Sequence, residues 1–155
     1  MLDLRQFVTS DVCLQCKGCC RYAQADSIWV AALLQEEKEA LNIEKIELVA
    51  AEGGFRCSFL NPQDNHCTIY AQRPLECRLY PFLLNRCHGG LYLAVDLKCP
   101  FAKNNLKDVQ FREYCAYLVS VLEKSPFADA LKSNLETFHY YPEKEIFNLV
   151  NLKIG

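Results

Sequence analysis

The chain has 155 residues, a formal net charge of −2 and ten cysteines. This length predicts a single domain, and Leu, Ile, Val and Phe, which together make up about 30% of the residues, are enough for a packed core. Nucleic-acid binders and proteins held electrostatically at anionic membranes typically carry a surplus of Lys and Arg, so the charge excludes both classes of partner.

The N-terminal residues, Met1 to Phe7, include an acidic side chain and no apolar run, which argues against a signal peptide. No stretch approaches 18 consecutive apolar residues, the minimum expected of a membrane-spanning helix. We therefore expect a cytoplasmic protein. In that reducing compartment, numerous cysteines are more typical of metal ligands or redox groups than of disulfides.

The elements predicted for the first hundred residues are short. Residues 33–41 have the pattern of a helix, and the charged run at residues 36–39 is interpreted as its solvated face. Residues 55–60 and 66–70 are β-prone and flank a turn at residues 61–65. Residues 83–87 and 91–97 flank His88-Gly89-Gly90 and predict a hairpin.

The residues after position 115 contain no cysteine and predict helices. Asp108 is a candidate cap for a helix through residue 124, with an apolar face of Phe111, Cys115, Leu118 and Leu122. Ser125-Pro126 predicts a second helix through about residue 138, and the run from Pro142 to Glu145 predicts a third. We expect one α+β domain over residues 1–155, with an irregular, metal-organised part at 1–104, short hairpins and a helical tail at 105–155.

The strongest motif is Cys13-Leu14-Gln15-Cys16-Lys17-Gly18-Cys19-Cys20. A spacing of two residues lets one turn direct two thiolates at the same metal. Three cysteines spaced in this way resemble the opening of bacterial ferredoxin motifs, and Cys99-Pro100 resembles the remote cysteine–proline pair of those motifs. A zinc site would more typically have two separated Cys-x2-Cys pairs, so the pattern favours an iron–sulfur cluster over Zn²⁺. Two all-cysteine zinc sites stay open as an alternative.

A second group of cysteines has a regular spacing: Cys57, Cys67, Cys77 and Cys87 are each ten residues apart. A step of ten residues does not return to one face of a helix. We interpret the regular spacing as coincidence and the clustering of the cysteines as meaningful.

From Cys13 to Pro100 the chain resembles the YkgJ-type family of cysteine-cluster domains, which are described as zinc- or iron-chelating. The shared order is Cys-x2-Cys-x2-Cys-Cys, a single Cys, Cys-x-Ile-Tyr-x2-Arg-Pro-x2-Cys-Arg-x-Tyr-Pro, and a distal Cys-Pro. Cys87 and Cys115 match no position of that pattern, and Cys115 is expected to pack in the core. The resemblance implies eight metal ligands: Cys13, Cys16, Cys19, Cys20, Cys57, Cys67, Cys77 and Cys99.

Arginines beside these cysteines are candidates for supporting the metal. Arg73 and Arg78 flank Cys77, where they could offset the negative charge of the thiolates and donate hydrogen bonds to sulfur. Arg21 and Lys17, which are also next to cysteines, could act in the same way.

These features predict a metal-binding protein with an iron–sulfur cluster of the [4Fe–4S] type, which serves electron transfer, metal handling or a protein partner. A structural zinc-binding module is one alternative. A related cysteine pattern in flagellin lysine N-methylases implies another, the iron–sulfur component of a protein-modifying enzyme. The sequence contains no phosphate-binding or dinucleotide-binding motif, and it assigns no catalytic residue.

Overall fold

The structure, a computed structural model, describes residues 4–7 and 20–155. This part of the chain contains five α-helices and three small antiparallel sheets, so the predicted α+β class is confirmed. The chain forms two compact units. The first, which we call the cysteine unit, is Val8–Cys77, and the second, the sheet–helix unit, comprises Met1–Phe7 and Arg78–Gly155. The predicted boundary near residue 104 stays a prediction.

The described part of the cysteine unit contains two small sheets. Strands β1 (Arg21–Tyr22), β2 (Leu48–Ala51) and β3 (Gly54–Cys57) form the first sheet, in the order β1-β3-β2. Strands β4 (Leu60–Asn61) and β5 (His66–Cys67) form the second and enclose the predicted turn. Helix α1 (Gln35–Leu41) precedes β2, and a 3₁₀ turn (Tyr70–Gln72) precedes helix α2 (Leu75–Leu79). The predicted helix at 33–41 is thus confirmed, two residues shorter at its start.

Few of the apolar side chains that the structure describes in the cysteine unit are buried. Among the largest fully buried side chains described, only Leu33 and Leu75 belong to this unit. A small core cluster joins Leu33 to Cys57, with Cys20 and Cys77 packed against it. The buried apolar residues described for the unit are Ala32, Leu33, Leu34, Ile46, Cys57, Leu60 and Leu75.

The sheet–helix unit is built on the predicted hairpin. Strands β6 (Phe82–Cys87) and β7 (Gly90–Asp96) pair along their length, and β8 (Ile146–Asn151) pairs with the other edge of β7. Helices α3 (Pro100–Asn105), α4 (Val109–Leu122) and α5 (Phe127–Ser133) follow the hairpin, and a 3₁₀ turn (Leu135–Thr137) follows α5. Phe82 of β6 stacks on Phe111 of α4 with ring centroids 5.2 Å apart, so the hairpin packs on this helix.

The helical tail is predicted correctly only in part. Helix α4 is confirmed, but Tyr114 rather than Cys115 shares its buried stripe, and Cys115 is half-buried. The second helix begins at Phe127 and ends at Ser133, short of the predicted end. The prediction of a third helix is wrong, because residues 143–145 form a turn and strand β8 follows them. Pairing with β7 supplies the backbone hydrogen bonds of β8, and this long-range pairing overrides the local helix-start signal.

Within the described ranges, none of the helices combines the length and apolar character needed to cross a membrane.

Candidate metal centre

Four of the predicted ligands come together in the cysteine unit: Cys20, Cys57, Cys67 and Cys77. Each comes from a different segment, with Cys20 directly before β1, Cys57 ending β3, Cys67 ending β5 and Cys77 in α2. Burial is the main cause of the raised pKa of Cys20, and the nearby Cys57 and Cys67 raise it further. The pKa of Cys77 is likewise raised mainly by burial, and Cys20, Cys57 and Cys67 raise it further.

The backbone ties Cys20 to Cys57. Cys20 has a left-handed conformation with φ of 64°, which is uncommon for a residue other than glycine. Its carbonyl oxygen accepts a 2.8 Å hydrogen bond from the backbone N–H of Cys57. The last residue of the N-terminal cysteine motif is therefore held beside the end of β3.

The sulfur of Cys57 lies in a turn that suits a thiolate. The backbone N–H groups of Phe59 and Leu60 donate to it and lower its pKa, although burial has the larger effect and the net shift is upward. The guanidinium of Arg56 donates a 2.7 Å hydrogen bond to the carbonyl of Leu60 and secures the same turn. Leu60 also pairs with Cys67 across the β4–β5 ladder. Donors directed at sulfur stabilise a metal-bound thiolate, so this turn fits a metal ligand.

Burial dominates the electrostatics of the thiols. It raises the pKa of Cys20 to about 12 and the pKa of Cys77 well above the usual range for a thiol. These side chains therefore hold their protons at neutral pH unless a cation stabilises the thiolates. A bound metal supplies that positive charge and displaces the protons.

Two arginines place positive charge near the thiols. Arg21 and Arg73 both lower the pKa of Cys20, against the larger upward effect of burial. Arg21 is held by a 2.8 Å hydrogen bond to the side-chain oxygen of Asn65, and the guanidinium of Arg73 lies 3.8 Å from the ring centroid of Tyr70. The other predicted arginine, Arg78, begins the sheet–helix unit, and its Nε is buried.

Of the other four predicted ligands, the structure describes one, Cys99. Cys13, Cys16 and Cys19 lie outside the described residues, and Cys99 is buried at the N-cap of α3 in the sheet–helix unit. Cys87 ends β6, where its sulfur accepts a 3.9 Å hydrogen bond from the side-chain amide of Asn148. The prediction that Cys87 is not a ligand stays a prediction.

The described side chains do not form a complete ligand set by themselves. Within residues 4–7 and 20–155, no three Cys, His, Asp or Glu side chains are placed to hold one metal ion together. Cys19 is covalently next to Cys20, and Cys16 is four residues away, which limits the distance between its Cα and that of Cys20 to about 15 Å.

Two glutamates near helix α2, which carries Cys77, were not singled out by the sequence pattern. Glu76 precedes Cys77 and is buried, and burial raises its pKa to about 8. Glu37 of α1 is half-buried and accepts hydrogen bonds from two backbone N–H groups, so the interpretation of residues 36–39 as a solvated face is wrong at this residue. Each glutamate lies in the first turn of its helix, Glu37 in α1 and Glu76 in α2, but the sequence pattern predicted a helix only around Glu37.

Comparison with known families gives one match. The family model CxxCxxCC, described as "Putative zinc- or iron-chelating domain", matches residues 12–116. The matched region includes all ten cysteines. No curated protein matches the chain. No solved structure matches it either.

Proposed function

This chain belongs to the CxxCxxCC family of zinc- or iron-chelating domains, and from that premise we propose that it binds a [4Fe–4S] iron–sulfur cluster. The observation that carries the proposal is the position of four cysteines in the cysteine unit: Cys20 and Cys77 pack against the core cluster that contains Cys57, and Cys67 pairs with Leu60 of that cluster. The Cys-x2-Cys-x2-Cys run directly before Cys20 supports iron–sulfur over zinc, because this spacing is typical of cluster-binding motifs.

The ligands would be drawn from two sources. The motif would contribute Cys13, Cys16, Cys19 and Cys20, and the distal cysteines of the family pattern are Cys57, Cys67, Cys77 and Cys99. A [4Fe–4S] cluster takes four thiolates, so the eight cysteines exceed the need of one cluster.

The surroundings of the thiols suit a group with several thiolates. Four thiolates leave a net negative charge on either a zinc ion or an iron–sulfur cluster. Arg21 and Arg73 would offset part of that charge, and the N–H groups directed at Cys57 would support its sulfur. A bound cluster would supply one-electron transfer, for which the cytoplasmic protein would need a partner as donor or acceptor. Delivery of metal to another protein is the second role that we retain.

The proposal is tested by the metal content of the protein purified under anaerobic conditions. We expect a brown protein with about four iron and four acid-labile sulfide per chain. Cys57→Ser should lose most of both, whereas the matched control Cys115→Ser should retain them. A colourless protein with stoichiometric zinc and no sulfide would overturn the iron–sulfur assignment in favour of a structural zinc module.

The same experiment decides the role of Cys99. Cys99→Ser is expected to lower the iron content as Cys57→Ser does. Full iron and sulfide in the Cys99→Ser protein would restrict the ligand set to the cysteine unit.

A further inference from the structure

We propose that Glu37 and Glu76 are positioning residues for the metal centre, because together they hold the short helix that carries Cys77. The inference rests on the proposed metal-binding function, and it names residues outside the cysteine motifs that this function needs. It applies to an iron–sulfur cluster and to zinc alike, since both require the Cys77 sulfur at a fixed place.

Two long-range hydrogen bonds connect the start of α1 with the start of α2. The Glu37 carboxylate accepts a 2.6 Å hydrogen bond from the backbone N–H of Leu75, the first residue of α2. In the opposite direction, the Glu76 carboxylate accepts a 2.8 Å hydrogen bond from the backbone N–H of Ala32. Each carboxyl group thus accepts from an N–H group of the other segment, and two hydrogen bonds join the segments near the starts of the two helices.

The link to Leu75 matters because α2 is very short. A helix of five residues has few internal hydrogen bonds, and its first N–H groups have no partner within the helix. Glu37 supplies that partner for Leu75, and Cys77 lies only two residues further on. A shift of the first turn of α2 would therefore move the Cys77 sulfur relative to Cys57, against whose core cluster it packs.

The two carboxylates differ in how many acceptor oxygens they use. Glu37 uses both, since its second oxygen accepts a 2.9 Å hydrogen bond from the N–H of Leu34. Glu76 uses one for Ala32, and among the described residues its other oxygen has no hydrogen-bond partner. A glutamine side chain has one acceptor oxygen and one donor amide. Glutamine at position 76 therefore keeps the hydrogen bond from the N–H of Ala32. At position 37, glutamine keeps only one of the two hydrogen bonds, and its amide NH₂ group then faces a backbone N–H group, which is also a donor.

This difference gives a matched set of variants. We would measure, well below the melting temperature, the rate at which metal passes from the purified holoprotein to an excess chelator. Glu37→Gln is expected to release metal about tenfold faster than the wild type, the consequence of one lost hydrogen bond to a charged group. Two variants serve as controls: Glu76→Gln, and Glu36→Gln at an exposed position of α1, the helix of Glu37. Their rates of metal release should stay within about twofold of the wild-type rate.

A second pair covers the case in which Glu37→Gln does not fold. Glu76→Leu removes the acceptor for Ala32 and should release metal about tenfold faster than Glu76→Gln, which keeps it. Equal release rates in Glu37→Gln and Glu36→Gln, or in Glu76→Leu and Glu76→Gln, would overturn the positioning role. A wild-type protein that contains no metal would instead refute the proposed function. Wild-type protein containing zinc would refute only the iron–sulfur assignment and would leave this test in force.

Discussion

Removing the metal is expected to unfold the cysteine unit and to leave the sheet–helix unit folded. The perturbation is complete removal of metal from the purified protein by a chelator at constant pH. The expectation follows from the distribution of the apolar core: most of the large, fully buried side chains described, such as Phe82, Leu93 and Tyr141, belong to the sheet–helix unit.

The magnitudes decide which unit depends on the metal. Burial of one large aliphatic side chain contributes about 1.5–3 kcal/mol, so the five buried Leu and Ile side chains described for the cysteine unit provide about 8–15 kcal/mol, which is an upper bound. A structural Zn²⁺ in a zinc-finger peptide contributes about 10–16 kcal/mol of folding free energy. Loss of a metal bound with similar strength would therefore remove a contribution as large as that of the described apolar core of this unit.

Hydrogen exchange read by mass spectrometry is the suitable assay, because it reports on each unit separately. After removal of the metal, the amides of β2 and β3 should exchange rapidly, while those of β6 and β7 keep their protection. Protected β2 and β3 amides in protein shown to be free of metal would refute the reasoning. Loss of protection in both units at the same time would refute the claim that only the cysteine unit depends on the metal.

The other predictions concern single side chains. Cys67→Ser should lose most of its metal by elemental analysis, whereas Cys115→Ser should keep it and lose at most roughly 1–2 kcal/mol in urea unfolding; equal metal contents would contradict this division. Asn85 is fully buried and makes two hydrogen bonds, so Asn85→Ala should lower the free energy of unfolding by about 2–4 kcal/mol with metal retained, and a loss below about 1 kcal/mol would count against it. Gly54→Ala should lower the melting temperature more than Gly53→Ala does. A Cβ at position 54 would lie 2.5 Å from a carbonyl oxygen of β1, whereas a Cβ at position 53 would meet no atom within 4 Å. Equal shifts in melting temperature would contradict this prediction.

The sequence was informative where local chemistry determines the structure. Residues 62–65 and His88-Gly89 lie between paired strands as predicted, because their conformations suit tight turns, whereas Asn61 and Gly90, also predicted in turns, belong to β4 and β7. That the clustered cysteines are metal ligands stays a prediction, which rests on their spacing.

The sequence was misleading where partners distant along the chain determine the structure. Ile146 and the residues after it form a strand because β7 offers an open edge, which the Pro142–Glu145 pattern does not reveal. Tyr114 takes the buried place predicted for Cys115, because an aromatic ring one position earlier packs against Phe82. Periodicity alone does not distinguish two neighbouring residues that both lie near the edge of an apolar face.

The candidate metal centre combines both kinds of information. The spacing of the cysteines predicts that they are ligands, but the hydrogen bonds that hold them in position come from other residues, both near them and far from them along the chain. Arg56 secures the turn around Cys57, and Glu37 secures Leu75 from 38 positions earlier in the chain. Since neither residue is part of the cysteine pattern, a sequence that kept the cysteines and lost these bonds would retain the donor atoms without their arrangement. We therefore expect the metal affinity of this protein to depend on residues that the motif does not include.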